Sequence, residues 1–115
     1  MPLTFPKTIR LTRSSEFLRV KTQGETHRGR FFALGILKGC DSIRTGIITT
    51  KKVGTAVERN KIRRRMRELM RLTLPQWNEG LWVVVVARRA AVEAPFEQLR
   101  REWFHLGKKA GLWPC

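Results

Sequence analysis

Thr50-Lys51-Lys52-Val53-Gly54-Thr55-Ala56-Val57-Glu58-Arg59-Asn60-Lys61-Ile62-Arg63-Arg64-Arg65-Met66-Arg67-Glu68-Leu69-Met70-Arg71 is the stretch on which the reading of this chain turns. Ile62, Met66, Leu69 and Met70 recur at spacings of three and four, which predicts a helix from about Ala56 to Thr73 with one apolar stripe. At about 100° per residue from Ile62, the residues Asn60, Arg64, Arg67 and Arg71 fall between about 140° and 200°, opposite that stripe; Arg59 falls near about 60°, at the rim of the core. The helix therefore seats one face on a core and turns a row of guanidinium groups outward. Solvated helices alternate sign through pairs spaced by four, whereas only Glu58 and Glu68 accompany the basic residues here. Uncompensated like charge repels itself until a polyanion neutralises it.

The flanking segments set the fold. Residues 43–50 read as a strand, and residues 81–87 are a continuous apolar run too short for a membrane, hence a strand buried on both faces. Strand, helix and strand across residues 43–88 form a parallel crossover unit. Upstream, residues 28–38 alternate, with Phe32, Leu34 and Ile36 on one side and Phe31, Ala33, Gly35 and Leu37 on the other. The turn Gly39-Cys40-Asp41-Ser42 follows, and residues 43–50 are expected to pair antiparallel with that strand. Pro2 and Pro6 hold the first residues extended. Arg10-Leu11-Thr12-Arg13 leads into a short helix capped by Ser14 or Ser15, with Glu16 in its first turn and an end near Gly24. Leu74-Pro75 stops the central helix, and Asn78-Glu79-Gly80 turns the chain. Pro95 opens a last helix whose Phe96, Leu99, Trp103, Leu106 and Gly107 share a core face. The fold class expected is one α/β domain over residues 1–115: an α+β sandwich with a small mixed sheet of about four strands, one more than the patterns above place, and three helices, in the order α-β-β-β-α-β-α.

Charge bounds the function. The chain has 115 residues, with 24 Lys and Arg against nine Asp and Glu and a net charge of +15, the electrostatic footprint of a nucleic-acid binder. No apolar run reaches the length of a membrane span, and the first residues lack a basic segment followed by an apolar one. A cytoplasmic protein is expected. Cys40 and Cys115 stand far apart, and neither His27 nor His105 lies at a ligand spacing from them, which argues for free thiols over a zinc site. The nine acids are spread along the chain with no spacing that suggests a two-metal set. A metal-free acid–base pair has only His27 with His105 to draw on. The chain is thus expected to hold no catalytic residue, no metal and no organic cofactor of its own.

Lys51-Lys52-Val53-Gly54, Ala56-Val57, Arg59-Asn60-Lys61-Ile62-Arg63-Arg64 and Arg67 together resemble the signature of the bacterial ribonuclease P protein subunit, a resemblance that runs over about residues 9–112. That family usually reads Arg-Asn-Arg where this chain has Arg59-Asn60-Lys61; Lys61 keeps the charge without the planar fork. The resemblance implies a left-handed crossover, although about 98% of such units are right-handed. It also implies a role beside a catalytic RNA, one protein per RNA, in removing the 5′ leader of precursor tRNA. Mg2+ would be held by the RNA partner and the substrate. Lys51, Lys52, Arg59, Asn60, Lys61, Arg63, Arg64 and Arg67 would dock on the catalytic RNA through its phosphates. A cleft between the first helix and the sheet, with Arg10, Arg13, Phe17 and Phe31, would hold the leader by stacking and charge. Phe17 matches one cleft aromatic of the family, and a second corresponds to Lys21. A third corresponds to Gly35, whose space Phe31, on the same side of the strand, is expected to fill. Catalytic RNA and precursor tRNA are the expected partners, with no DNA and no membrane. A structural ribosomal-type protein shares the charge and size but has no use for such a cleft. An independent nuclease would cut without an RNA.

Overall fold

The structure, a computed structural model, describes residues 10–114; the stretch with Pro2 and Pro6 and the thiol of Cys115 lie outside them. Three helices, α1 (Ser14–Gln23), α2 (Ala56–Thr73) and α3 (Phe96–Ala110), enclose a sheet of β1 (Glu25–Arg28), β2 (Phe32–Leu37), β3 (Arg44–Ile48) and β4 (Trp82–Ala87). The element order is the expected one, and the spatial order of strands is β1-β2-β4-β3.

Two expectations about the strands are corrected. Residues 28–38 are not one strand: the chain turns after Arg28, and β1 lies at Glu25–Arg28, antiparallel to β2. This edge strand is polar and mostly exposed, so it leaves no apolar alternation in the sequence. Nor does the segment at 43–50 pair with β2. β4 takes that place, antiparallel to β2 and parallel to β3. The reason is burial: Val83 and Val85 face one side of the sheet and Val84 the other, all buried, so β4 belongs in the middle. β3, with Arg44, Thr45 and Gly46, lies at the margin, where Leu11 donates its N–H to the Thr45 carbonyl at 2.6 Å.

The crossover β3-α2-β4 is left-handed. Arg44 donates its backbone N–H to the Leu81 carbonyl, so its peptide groups face β4, while its side chain reaches Glu16 on the α1 face. For an L-residue in a strand this puts β4 to the left of β3 when seen from the α2 side.

One face of the sheet (Phe32, Leu34, Ile36, Val83, Val85) packs on Ile62, Met66, Leu69 and Met70 of α2 and on Leu99, Trp103 and Leu106 of α3. The last turn of α2 ends on a buried hydroxyl that organises this core. Thr73 Oγ1 accepts from Trp77 Nε1 at 3.0 Å and Trp103 Nε1 at 3.1 Å, and donates to the Leu69 carbonyl at 2.9 Å. Both indoles are thereby satisfied out of water. The tryptophan and leucine stripe of α3 is core, as its spacing predicts. The other face is covered only in part, by Leu11 and by Val20 of α1.

α3 is pinned to the β1–β2 turn by a carboxylate. Glu102 accepts from the backbone N–H groups of Arg30 at 2.6 Å, Phe31 at 2.8 Å and Phe32 at 3.1 Å. Replacing it with Gln removes the charge from all three bonds. The expected cost is about 1–3 kcal/mol of stability, read as a lower Tm; an unchanged Tm would show that the turn holds itself.

Candidate nucleic-acid interface

α2 begins at a capping box. Thr55 donates its backbone N–H to Glu58 at 2.9 Å, and Glu58 N–H donates to Thr55 Oγ1 at 3.2 Å. The Thr55 backbone bond, more than any charge, holds the Glu58 carboxyl below its usual pKa. Lys51 and Lys52 stand exposed in the preceding turn, which buried Val53 anchors. Along the helix the basic residues divide by use. Arg65 donates to the Ala94 carbonyl at 2.8 Å and ties α2 to the segment before α3. Arg71 is held by Glu68 through bonds of 2.6 and 3.1 Å. The outward row therefore ends at Arg67. Asn60, Lys61 and Arg64 are exposed, and Arg63 and Arg67 are half-buried. Arg59 is half-buried at the rim, its buried Nε accepted by no group among the described residues.

α1 is positioned from behind its first turn. Neither Ser14 nor Ser15 caps it: Arg13 is the N-cap residue, and the Glu16 carboxylate reaches back to the N–H of Arg13 at 3.0 Å and of Thr12 at 3.1 Å. The Arg13 backbone bond is the main reason that the Glu16 carboxyl titrates below its usual range; the Thr12 bond and the Arg44 guanidinium add to it. Seated this way, α1 lays the Phe17 ring on Gly46 of β3, where any Cβ would collide with it. Glycine at this position lets an aromatic lie against backbone.

Phe17 forms a wall between two recesses. On one side a groove of about 500 Å³ has an apolar floor of Ala33, Gly35, Val84 and Val86, with Lys21 and Arg28 in its lining. On the other side a recess of about 110 Å³ is lined by Arg10, Gly46, Arg63 and Arg67. Burial first, then the charges of Arg10 and Arg63, push the Arg67 guanidinium below its usual pKa. Three guanidiniums meet in this partly desolvated recess, so an anion bound there would offset their mutual repulsion.

The structure thus brings Arg10 and Phe17 to one recess, and adds Arg63 and Arg67, which the sequence reading assigned only to docking on the catalytic RNA. Arg13, Lys51, Lys52, Arg59 and Lys61 line neither recess. Phe31 is a correction. Strand alternation begins at Phe32, one residue later, and Glu102 draws the turn toward α3. The Phe31 ring is buried in the core on the α2–α3 side, with the Arg30 guanidinium 5.3 Å from its centroid. The space over Gly35 belongs to Val20 instead, whose Cγ1 would lie 3.3 Å from an added Cβ. Arg28 was missed because β1 carried no recognisable strand pattern. Among the described residues no three His, Cys, Asp or Glu come together as a metal set, and no helix is long and apolar enough to cross a membrane.

The arginine recess predicts a response to simple anions. Sulfate should raise the Tm as its concentration rises, since a ligand bound only by the folded state stabilises it. Arg67→Ala should reduce that gain; an equal gain in the variant would place the bound sulfate elsewhere.

Comparison with known proteins bears on the family and the fold. The family model described as Ribonuclease P matches residues 5–111. The "Ribonuclease P protein component" of Finegoldia magna is 33% identical over 109 residues, covering 95% of this chain and 96% of the relative. Its counterpart from Symbiobacterium thermophilum is 37% identical over 108 residues, covering 92% and 94%. Among solved structures, the Staphylococcus aureus RNase P protein superposes with a TM-score of 0.85 at 28% identity, over 94% of this chain and 100% of that one. The Thermotoga maritima protein superposes with a TM-score of 0.76 at 28% identity, over 87% and 96%. A match along nearly the whole chain, in sequence and in fold, leaves one conclusion: the chain belongs to the ribonuclease P protein family.

Proposed function

We propose that this protein binds the catalytic RNA of ribonuclease P through α2 and the turn before it, and holds the 5′ leader of precursor tRNA along the groove beside Phe17. The observation that carries this reading is the position of Phe17 between an arginine recess and an apolar groove. Single-stranded RNA needs charge for its phosphates and a flat apolar face for its bases, and here the two adjoin. A structural ribosomal-type protein would need only the charge.

Hydrolysis of the phosphodiester bond is assigned to the RNA partner, with Mg2+ held by that RNA and the substrate. Five of the nine acids are otherwise engaged: Glu16, Glu58 and Glu102 hold backbone N–H groups, and Glu68 and Glu97 hold arginines. The protein's part is to bind and orient. One protein per RNA, working in the cytoplasm with no DNA or membrane partner, completes the reading.

A leader-length series tests it. Affinity of the assembled protein–RNA complex should rise over the first few leader nucleotides, as the groove fills, and then level off. An affinity indifferent to leader length would leave the groove without its proposed occupant.

A further inference from the structure

Among the described residues Val57 is the most exposed of the large hydrophobic ones, 76% accessible. It stands in the first turn of α2 on the face away from the core, where a β-branched residue gives a helix less than Ala would. A lone exposed apolar side chain is ordinary, but this one lines a recess of about 520 Å³ whose other walls are Asn60, Arg63, Arg64 and Arg67. An apolar wall adds nothing to the binding of a phosphate. It suits the flat face of a base or a ribose.

Asn60 sharpens the chemistry. Its Oδ1 accepts from Arg63 Nη1 at 2.9 Å, and because a guanidinium can only donate, that bond fixes which way the carboxamide points. The Nδ2 group is left as a donor beside the recess, suited to a ring nitrogen or carbonyl oxygen of a base. Arg64 and Arg67 supply cations for the flanking phosphate. An apolar wall, an amide donor and two guanidiniums are together what an unpaired nucleotide of an RNA requires.

We infer that this recess seats one unpaired nucleotide of the catalytic RNA, its base against Val57, its edge at Asn60 Nδ2 and its phosphate on Arg64 and Arg67. The inference rests on the reading that α2 docks on that RNA, and it goes further: the docking reads a local RNA shape as well as charge. An acidic peptide would also find cations here, but its carboxylates leave the apolar wall and the amide donor unused.

The test is the affinity of the full chain for the catalytic RNA across a salt series, for the parent, Val57→Ala, Val57→Ile and the pair Arg64→Ala with Arg67→Ala. Val57→Ala should bind about tenfold more weakly with the salt slope unchanged, because the lost contact is not ionic, and Val57→Ile should bind as the parent does. Chemical probing should show one unpaired nucleotide protected by the parent and reactive in the Val57→Ala complex. Parent-like affinity of Val57→Ala, a changed slope, or no such nucleotide would overturn the inference. If the arginine pair still weakens binding in that case, docking through α2 stands and only the nucleotide seat falls. If the pair too is without effect, the docking reading itself has failed.

Discussion

Replacing Arg64 and Arg67 together by Ala is expected to weaken binding to the catalytic RNA by on the order of a hundredfold at moderate salt. Hydrogen bonds to charged groups contribute about 1.5–3 kcal/mol each, and solvent at the exposed Arg64 brings the pair below the simple sum. The salt dependence carries a second signature. Each phosphate contact contributes about 0.7–0.9 to the slope of log affinity against log salt, so loss of two contacts should flatten it by about 1.4–1.8. The fold should survive, because neither side chain belongs to the stripe of Ile62, Met66, Leu69 and Met70. Removing Arg67 also relieves its repulsion with Arg10 and Arg63. A melting curve at or above the parent's, beside the weakened binding, is the expected pair of results. Parent-like affinity in a folded variant would show that the outward row of α2 is only a solvated face.

Phe17→Ala should act on the substrate instead. Stacking of a base on an aromatic is worth about 1–3 kcal/mol, so the assembled complex should bind leader-bearing precursor tRNA roughly five- to a hundredfold more weakly. Mature tRNA should bind as before. Part of the ring is structural, since it rests on Gly46 and packs against the cluster of Leu11, Val20, Leu37 and Val84. Phe17 is only half-buried, so the stability loss should fall short of the about 3–5 kcal/mol seen when a fully buried Phe is truncated. Folded Phe17→Ala that still discriminates leader-bearing from leaderless tRNA would remove the groove from the mechanism.

Much of this was legible in the sequence because periodic burial writes itself into the chain. The stripe of α2, the aromatic face of α3 and the doubly apolar β4 each lie where their patterns place them. What the sequence hid is of two physical kinds. β1 is a short polar edge strand, so nothing marks it. Pairing is the second kind: residues 43–50 read as a strand, but choosing β4 over β2 as its neighbour depends on which strand buries both faces, a comparison across the whole sheet. Phe31 failed for a local reason, one residue of misplaced alternation at a turn held by Glu102, far along the chain. Arg67 belongs to the outer face of α2 by its angle alone; that it also faces Arg10 and Phe17 depends on α1 lying across β3, and Gly46, which permits this, reads in sequence only as a glycine in a strand. Thr73 shows the same limit, since its two indole partners lie four and thirty residues away.

On this reading the protein assists an RNA that does the cutting. The most direct test of this is leader removal from precursor tRNA at low magnesium, measured with the catalytic RNA alone, with the protein alone and with both. Little cleavage is expected from the RNA alone under these conditions, none from the protein alone, and efficient release of the leader when both are present. Cleavage by the protein alone, or an RNA reaction that the protein leaves unchanged, would contradict it.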